Sequence, residues 1–116
     1  MTSQEKQSYF SKGLNYFNSK KFFESHEEWE QIWLQCQNRD EKLLYQSMII
    51  LAGVGVHLQK NRPAPAQRLQ KLGLIKLEEI KNQDYSQQIK QLKKLYLRVI
   101  ADFLQDHYLL NFDIPK

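Results

Sequence analysis

Glycine and proline are scarce in this chain, and their scarcity is the strongest constraint on its fold. The 116 residues include only four glycines and three prolines. No segment alternates β-branched with polar residues as a half-buried strand does. Apolar residues instead recur at spacings of three and four, which is the period of an amphipathic helix. The sequence therefore predicts an all-α protein.

Five helical segments are separated by short polar or proline-containing breaks. We expect helices at about residues 3–18, 22–37, 40–60, 66–80 and 86–107, with Asp40 and Ser86 as N-caps of the third and fifth. The clearest break runs from Asn61 to Pro65, and residues 108–116 are predicted to form an irregular tail. Short connections favour antiparallel neighbours. We predict a compact antiparallel bundle in a single domain over residues 1–116, with its core formed by helices two and three.

Several classes of protein are excluded by composition. A chain of 116 residues has room for one ordinary domain. Cys36 is the only cysteine, which excludes an internal disulfide and a multi-cysteine metal site. The longest apolar stretch, residues 48–56, is about half of the roughly 18–20 residues that a membrane span requires. The first ten residues lack the apolar region of a signal peptide, so we expect a cytoplasmic protein without a membrane partner.

The net charge of +4 is unevenly distributed along the chain. Residues 1–57 carry six Lys or Arg against seven Asp or Glu, whereas residues 58–116 carry eleven against six. A basic C-terminal half favours an acidic partner or nucleic acid. However, acids are interleaved with these lysines in a helical pattern, and the longest basic run is Lys93-Lys94. Solvated helix faces are therefore the stronger interpretation, and nucleic acid is the weaker one.

The second helix carries two ionisable side chains between apolar groups. At about 100° per residue, one apolar group comprises Phe22, Trp29, Ile32, Trp33 and Cys36, and the other comprises Phe23 and Leu34. His26 and Glu30 lie between these groups, so we expect both to point inward, with Glu27 at the boundary. An unpaired buried carboxylate costs several kcal/mol, and Glu30 therefore needs a partner.

The third helix offers partners along one stripe. Its members, at spacings of four, three and four, are Gln46, Ile50, Gly53 and His57. An antiparallel hairpin of helices two and three places Glu30 level with residues 47–48, where Gln46 can reach it. His57 then lies roughly 7 Å from His26 along the axis. Because Gly53 has no side chain, a neighbour can approach closely there.

Two interpretations of this polar group remain open. The first is a metal or small-ligand site, with His26, Glu30 and His57 as ligands and Gln46 and Glu27 in support. Two imidazoles with one or two carboxylates suit a divalent transition metal such as Zn, Fe, Mn or Ni. This interpretation predicts a cavity in which at least two of the side chains approach a common point. It leaves open whether the chain is an enzyme, and no catalytic residue is assigned.

The second interpretation is a structural or protein-interaction module. Here Glu30 belongs to a buried hydrogen-bond network with Gln46 and a histidine, which fixes the register of the helices. The partner would be another protein or a second copy in a homodimer. This interpretation predicts an exposed apolar patch elsewhere, for example from Tyr108, Leu109, Leu110 and Phe112.

An ordered set of residues stands out between Phe17 and Leu69. It consists of Phe17-Asn18, Phe22-Phe23-Glu24, His26-Glu27, Glu30, Trp33, Tyr45-Gln46, Ala52-Gly53, His57 and Asn61. This order and spacing resemble the domain of unknown function 309 family. The resemblance covers about residues 17–69 and implies a small helical bundle in which the His/Glu face of helix two meets the Gln/His stripe of helix three. It implies no activity, substrate or cofactor, and it adds Trp33, Gly53 and Asn61 to the supporting residues.

The chain departs from the family pattern after Asn61. Family members tend to continue into an Arg-Gly-Ala-like turn, whereas this chain continues with Arg62-Pro63-Ala64-Pro65-Ala66. A ligand contact through a glycine backbone is therefore not expected at this corner, and the prolines should stiffen it.

Overall fold

The fold consists of five α-helices and one short 3₁₀ helix, in a computed structural model that describes residues 1–115. The helices are α1 (Ser3–Asn18), α2 (Phe22–Gln35), α3 (Arg39–Gln59), α4 (Pro63–Glu78) and α5 (Ser86–Leu104), with the 3₁₀ helix at Gln83–Tyr85. Residues 1–115 contain no strand, and the all-α prediction is confirmed. Lys116, the last residue of the predicted tail, lies outside the described residues.

The start of α3 differs from the prediction because another side chain caps it. Asn38, not Asp40, is the N-cap, and its side chain accepts a hydrogen bond from the Glu41 N–H at 3.0 Å. The Asp40 carboxylate instead accepts from the backbone N–H groups of Lys81 and Asn82, at 3.2 and 2.8 Å. Asp40 therefore fastens the loop after α4 to the start of α3.

The proline-containing break belongs partly to α4. The helix starts at Pro63, three residues earlier than predicted. Proline has no backbone N–H, but the N–H groups of the first helical turn have no partner within the helix, so proline is tolerated at this position. At the other end of the chain, α5 ends at Leu104 rather than near residue 107, and Tyr85 rather than Ser86 occupies its N-cap position.

Consecutive helices pack side by side along the chain. The connections between α1, α2, α3 and α4 span three residues each, so each helix reverses the direction of the one before. The ring of Phe22, at the start of α2, lies against Gly55 near the end of α3. This contact gives α2 and α3 the register that the sequence predicts, in which Glu30 lies level with about Ser47. Helix α5 packs across α3 and α4.

The first two helices meet through an indole and a glycine. Trp29 is fully buried, and a Cβ at Gly13 would overlap its ring. The indole N–H donates to the Phe10 carbonyl at 3.3 Å, and the buried Ser25 hydroxyl donates to the Gly13 carbonyl at 2.9 Å. These contacts fix both the separation of α1 and α2 and the rotation of α2 about its own axis.

Aromatic rings join both ends of the chain in one core. The Phe17 ring on α1 lies 5.2 Å from that of Phe22, 5.7 Å from that of Phe103 and 5.6 Å from that of Tyr108, measured between centroids. Phe22 and Phe103 stack at 4.9 Å with nearly parallel planes. Helix α5 and the tail are therefore part of the same core as α1 and α2.

The tail after α5 has no regular secondary structure, yet it is held in place by amide side chains. Asn18 both donates to the carbonyl and accepts from the N–H of Leu110, each at 2.9 Å. Gln91 binds the backbone of Asn111 in the same two-point way, at 3.1 and 2.7 Å. Each amide side chain thus both donates to and accepts from the backbone of one tail residue, as the backbone of a neighbouring β-strand would.

The prediction of an exposed apolar patch on the tail is wrong. Tyr108, Leu110 and Phe112 are buried against the core, and only Leu109 is exposed. The two amide contacts hold the backbone so that Tyr108, Leu110 and Phe112 face the core and Leu109 faces solvent. The run of three consecutive apolar residues, Tyr108 to Leu110, does not reveal this alternation.

No helix within residues 1–115 combines the length and the apolar composition that a bilayer crossing requires.

We expect Gly13→Ala to destabilise the fold by about 1–3 kcal/mol, because the added methyl group would overpack the Trp29 ring. Gly53→Ala is the matched control. Its Cβ would lie 3.1 Å from the end of the flexible Leu69 side chain, so alanine should leave stability unchanged or raise it by up to about 1 kcal/mol. Urea unfolding of both variants measures the difference, and equal losses would contradict the packing of α1 on α2.

Alkaline pH should destabilise the protein through Tyr96. Burial raises the pKa of this phenol well above its usual value, and its hydroxyl donates to the Ser47 carbonyl. Folding therefore favours the protonated phenol, so its contribution is intact below the unfolded-state pKa of about 10 and is lost as pH rises above it. The limiting slope for one such group is about 1.4 kcal/mol per pH unit.

Urea midpoints of wild type and Tyr96→Phe between pH 8 and 11 isolate this contribution, because all other titrating groups are shared. Wild type should lose stability more steeply than the variant above pH 10. Parallel curves would show that Tyr96 does not titrate with unfolding.

Candidate functional site

The rotation of α2 places His26 and Glu30 at the protein surface. The buried residues of this helix are Phe22, Ser25, Trp29 and Ile32. The side chains of His26 and Glu30 remain 37% and 41% exposed. The prediction that both point inward is therefore wrong, because Ser25 and Trp29 occupy the face that packs on α1. A half-exposed carboxylate also does not need a protein partner.

Phe23 and Leu34, the second predicted apolar group, are exposed as well. Their exposed fractions are 60% and 58%. Helix α2 therefore buries one apolar arc and leaves the other free.

His26 and Glu30 line a surface pocket between α2 and α3. The pocket has a volume of about 200 Å³, and its lining residues are His26, Glu30, Trp33, Gln46, Ile49 and Ile50. The antiparallel register brings Gln46 to the same pocket as Glu30, as the hairpin argument predicts. Ile49, Ile50 and the Trp33 ring form the apolar part of the lining.

The polar side chains of the pocket are not hydrogen-bonded to one another. Among residues 1–115, no hydrogen bond involves the side chain of His26 or Trp33, and the buried His26 Nδ1 and Trp33 Nε1 atoms both lack a partner. His26 Nδ1 lies 3.6 Å from Glu30 Oε2, which is too long for a hydrogen bond. The described residues therefore do not form the closed network that the structural interpretation predicts.

Trp33 is held at the pocket from the side of α3. The Lys42 ammonium lies 4.9 Å from the centroid of the Trp33 ring, within the range of a cation–π contact. Lys42 lies one helical turn before Gln46 on α3. This contact therefore restrains the indole at the α2–α3 junction.

The other predicted site residues lie away from the pocket lining. His57 is in the last turn of α3, seven residues beyond Ile50 and so roughly 10 Å further along the helix. Glu27 is exposed, and Gly53 faces Leu69 of α4. The structure thus brings together His26, Glu30, Trp33 and Gln46, and it leaves His57, Glu27, Gly53 and Asn61 outside.

Asn61 ends α3 in a Schellman motif. It adopts a left-handed conformation with φ of 55°. The Asn61 N–H donates to the Leu58 carbonyl at 3.1 Å, and the Arg62 N–H donates to the His57 carbonyl at 2.9 Å. Asparagine tolerates this conformation better than most residues. A helix-terminating role accounts for its presence at this position.

One known family matches the chain. Residues 10–69, just over half of the chain, match the model of a domain of unknown function, DUF309. The chain belongs to this family. The match starts seven residues before the region of resemblance and includes most of α1, all of α2 and α3, and the start of α4. No curated protein matches the chain, and no solved structure does so.

The match to this family does not indicate a metal site. Within residues 1–115, no group of three or more His, Cys, Asp or Glu side chains is placed to hold a metal ion. His26 and Glu30 lie near each other, but the predicted third ligand, His57, lies outside the pocket lining. The metal interpretation therefore has no support in the geometry.

Cys36 lies at the end of α2, where its thiol is half buried. Burial, together with the nearby Glu41 carboxylate, raises the pKa of the thiol to about 12. The thiol donates a weak hydrogen bond to Glu41 Oε1 at 3.4 Å. Cys36 is consequently protonated at neutral pH and is a poor nucleophile.

One pocket residue was missed by sequence reasoning. Ile49 lies three residues after Gln46, a spacing that places both on one face of α3. Ile49 was not assigned to the site because it is adjacent to Ile50, and two adjacent isoleucines in an apolar helix are typical of a core. The helical spacing from Gln46 was the available signal.

We expect substitutions in the pocket to leave the fold intact. His26→Ala and Glu30→Gln should change the free energy of unfolding by no more than about 0.5 kcal/mol, because both side chains are half exposed and bond to nothing that packing requires. Ile32→Ala, on the buried arc of the same helix, should cost about 2–5 kcal/mol. Urea unfolding measures these changes. A large loss of stability in either pocket variant would show that His26 or Glu30 has a structural role.

Proposed function

We propose that this protein binds a small organic ammonium ion in the α2–α3 pocket. The observation that carries the proposal is the pocket itself: polar side chains from two helices line it together, and those of His26 and Trp33 make no hydrogen bond within the described chain. A pocket that combines apolar surface with a few convergent polar groups is typical of a binding site.

The charge of the pocket selects the class of ligand. Glu30 is the only acidic residue in the lining, which contains no Lys or Arg. A ligand that covers this carboxylate removes water from it, and a positive group restores the lost interaction through a charge-assisted hydrogen bond. A neutral ligand offers this carboxylate only a weaker, uncharged hydrogen bond, and an anionic ligand would repel it.

The remaining lining defines the rest of the ligand. Ile49, Ile50 and the Trp33 ring offer apolar surface for a short carbon chain. The Gln46 amide supplies both a donor and an acceptor. A volume of about 200 Å³ lies below the roughly 300–1,000 Å³ of common drug-sized pockets. We therefore expect an ammonium group with a few carbons rather than a large cofactor.

Amide chemical shifts of ¹⁵N-labelled protein, titrated with n-butylammonium, test the proposal. We expect shifts at the residues that line the pocket and a dissociation constant near the millimolar range, since so small a ligand has few atoms with which to bind. The same titration with n-butanol and with butyrate should produce much weaker changes.

Glu30→Gln should weaken butylammonium binding by about tenfold or more, because a charge-assisted hydrogen bond is worth about 1.5–3 kcal/mol. Glu28→Gln is the matched control, since it removes an equal charge two residues away on α2 outside the pocket lining. Equal loss in both variants would indicate a general charge effect. An absence of shifts at the pocket, or equal binding of butyrate, would overturn the proposal.

A further inference from the structure

The outer arc of α2 combines acidic and apolar side chains. The helix contains four glutamates, Glu24, Glu27, Glu28 and Glu30, and no lysine or arginine. Phe23 and Leu34 are 60% and 58% exposed and lie eleven residues apart, which is about three turns and hence the same face. Within residues 1–115, neither Glu24 nor Glu27 takes part in an ion pair with Lys, Arg or His. This arc therefore presents an unpaired negative charge beside exposed apolar groups.

The outer arc of α5 has the opposite charge and a similar apolar pattern. Leu97 and Leu104 are 61% and 74% exposed and lie seven residues apart, about two turns on one face. The basic residues of α5 are Lys90, Lys93, Lys94 and Arg98, and its single acid, Asp102, lies 3.7 Å from Arg98. The three lysines are exposed and form no ion pair within the described residues.

We infer that a second copy of this chain covers these arcs, with α2 of one copy packed on α5 of the other. Pairing α2 with α2 would juxtapose glutamates, and pairing α5 with α5 would juxtapose lysines, each at a cost of several kcal/mol. A twofold axis that places α2 of each copy on α5 of its partner pairs all four arcs with opposite charges and closes the assembly.

The exposed apolar side chains of the two arcs also favour this pairing. Phe23, Leu34, Leu97 and Leu104 are four of the large apolar residues that one chain leaves exposed. Burial of such groups is the main favourable contribution to association. The surrounding charges select the partner and make the association sensitive to salt, because exposed ion pairs are screened within about 10 Å at 0.1 M ionic strength.

Charge reversal with complementation tests the inference by sedimentation equilibrium of the full chain. One variant carries Glu24→Lys and Glu27→Lys, and the other carries Lys93→Glu and Lys94→Glu. We expect wild type to dimerise, and each variant alone to associate about 100-fold more weakly, because like charges then face each other. An equal mixture of the two variants should recover association, because each α2 then meets an α5 of opposite charge.

All four substituted residues are exposed, and helical circular dichroism of each variant checks that it still folds. They also lie outside the α2–α3 pocket, so dimerisation and ammonium binding are measured independently. A wild-type chain that stays monomeric to about 1 mM would overturn the inference. So would a dimer that both charge reversals leave unchanged, or variants whose mixture fails to associate.

Discussion

The close approach of Trp29 to Gly13 is the contact on which the rest of the arrangement depends. Because α1 offers no side chain at Gly13, the indole of α2 lies directly on its backbone, and the neighbouring Ser25 hydroxyl bonds to the Gly13 carbonyl. A helix held at two such points cannot rotate about its own axis. The direction of every other side chain on α2 follows from this rotation.

This rotation explains why the polar side chains of α2 form an open pocket instead of a core network. Residues one and five positions after Ser25 lie about 100° and 140° from it around the helix, so His26 and Glu30 emerge at the edge toward α3. There they meet Gln46 and the two isoleucines. The energy that holds α2 in place comes from its opposite face. The side chains that line the pocket are therefore separate from those that stabilise the bundle, and ionisable groups can occupy the pocket at little cost to folding.

Local signals allowed most of the fold to be predicted, while contacts between distant residues account for the errors. Helical periodicity and short connections give the five helices and the register of α2 on α3, which places Gln46 beside Glu30. The helical wheel orders side chains around α2 but does not say which arc faces α1, since Phe22 and Phe23 are equally apolar. Likewise, His57 shares a stripe with Gln46, but it lies too far along α3. The burial of the tail depends on Asn18 and Gln91, which lie 92 and 20 residues from their partners.

The two proposed surfaces differ in how they relate to the family segment. All six residues of the pocket lining lie within residues 10–69, which match the DUF309 model. An ammonium-binding pocket would therefore be built entirely from the part of the chain that defines the family, and it would be expected in other members with the same residue types at these positions. Helix α5 lies outside that segment. Pairing of α2 with α5 of a second copy joins a family helix to one that the family model does not describe. Self-association by this route consequently depends on the C-terminal half of this chain, where its positive charge is concentrated.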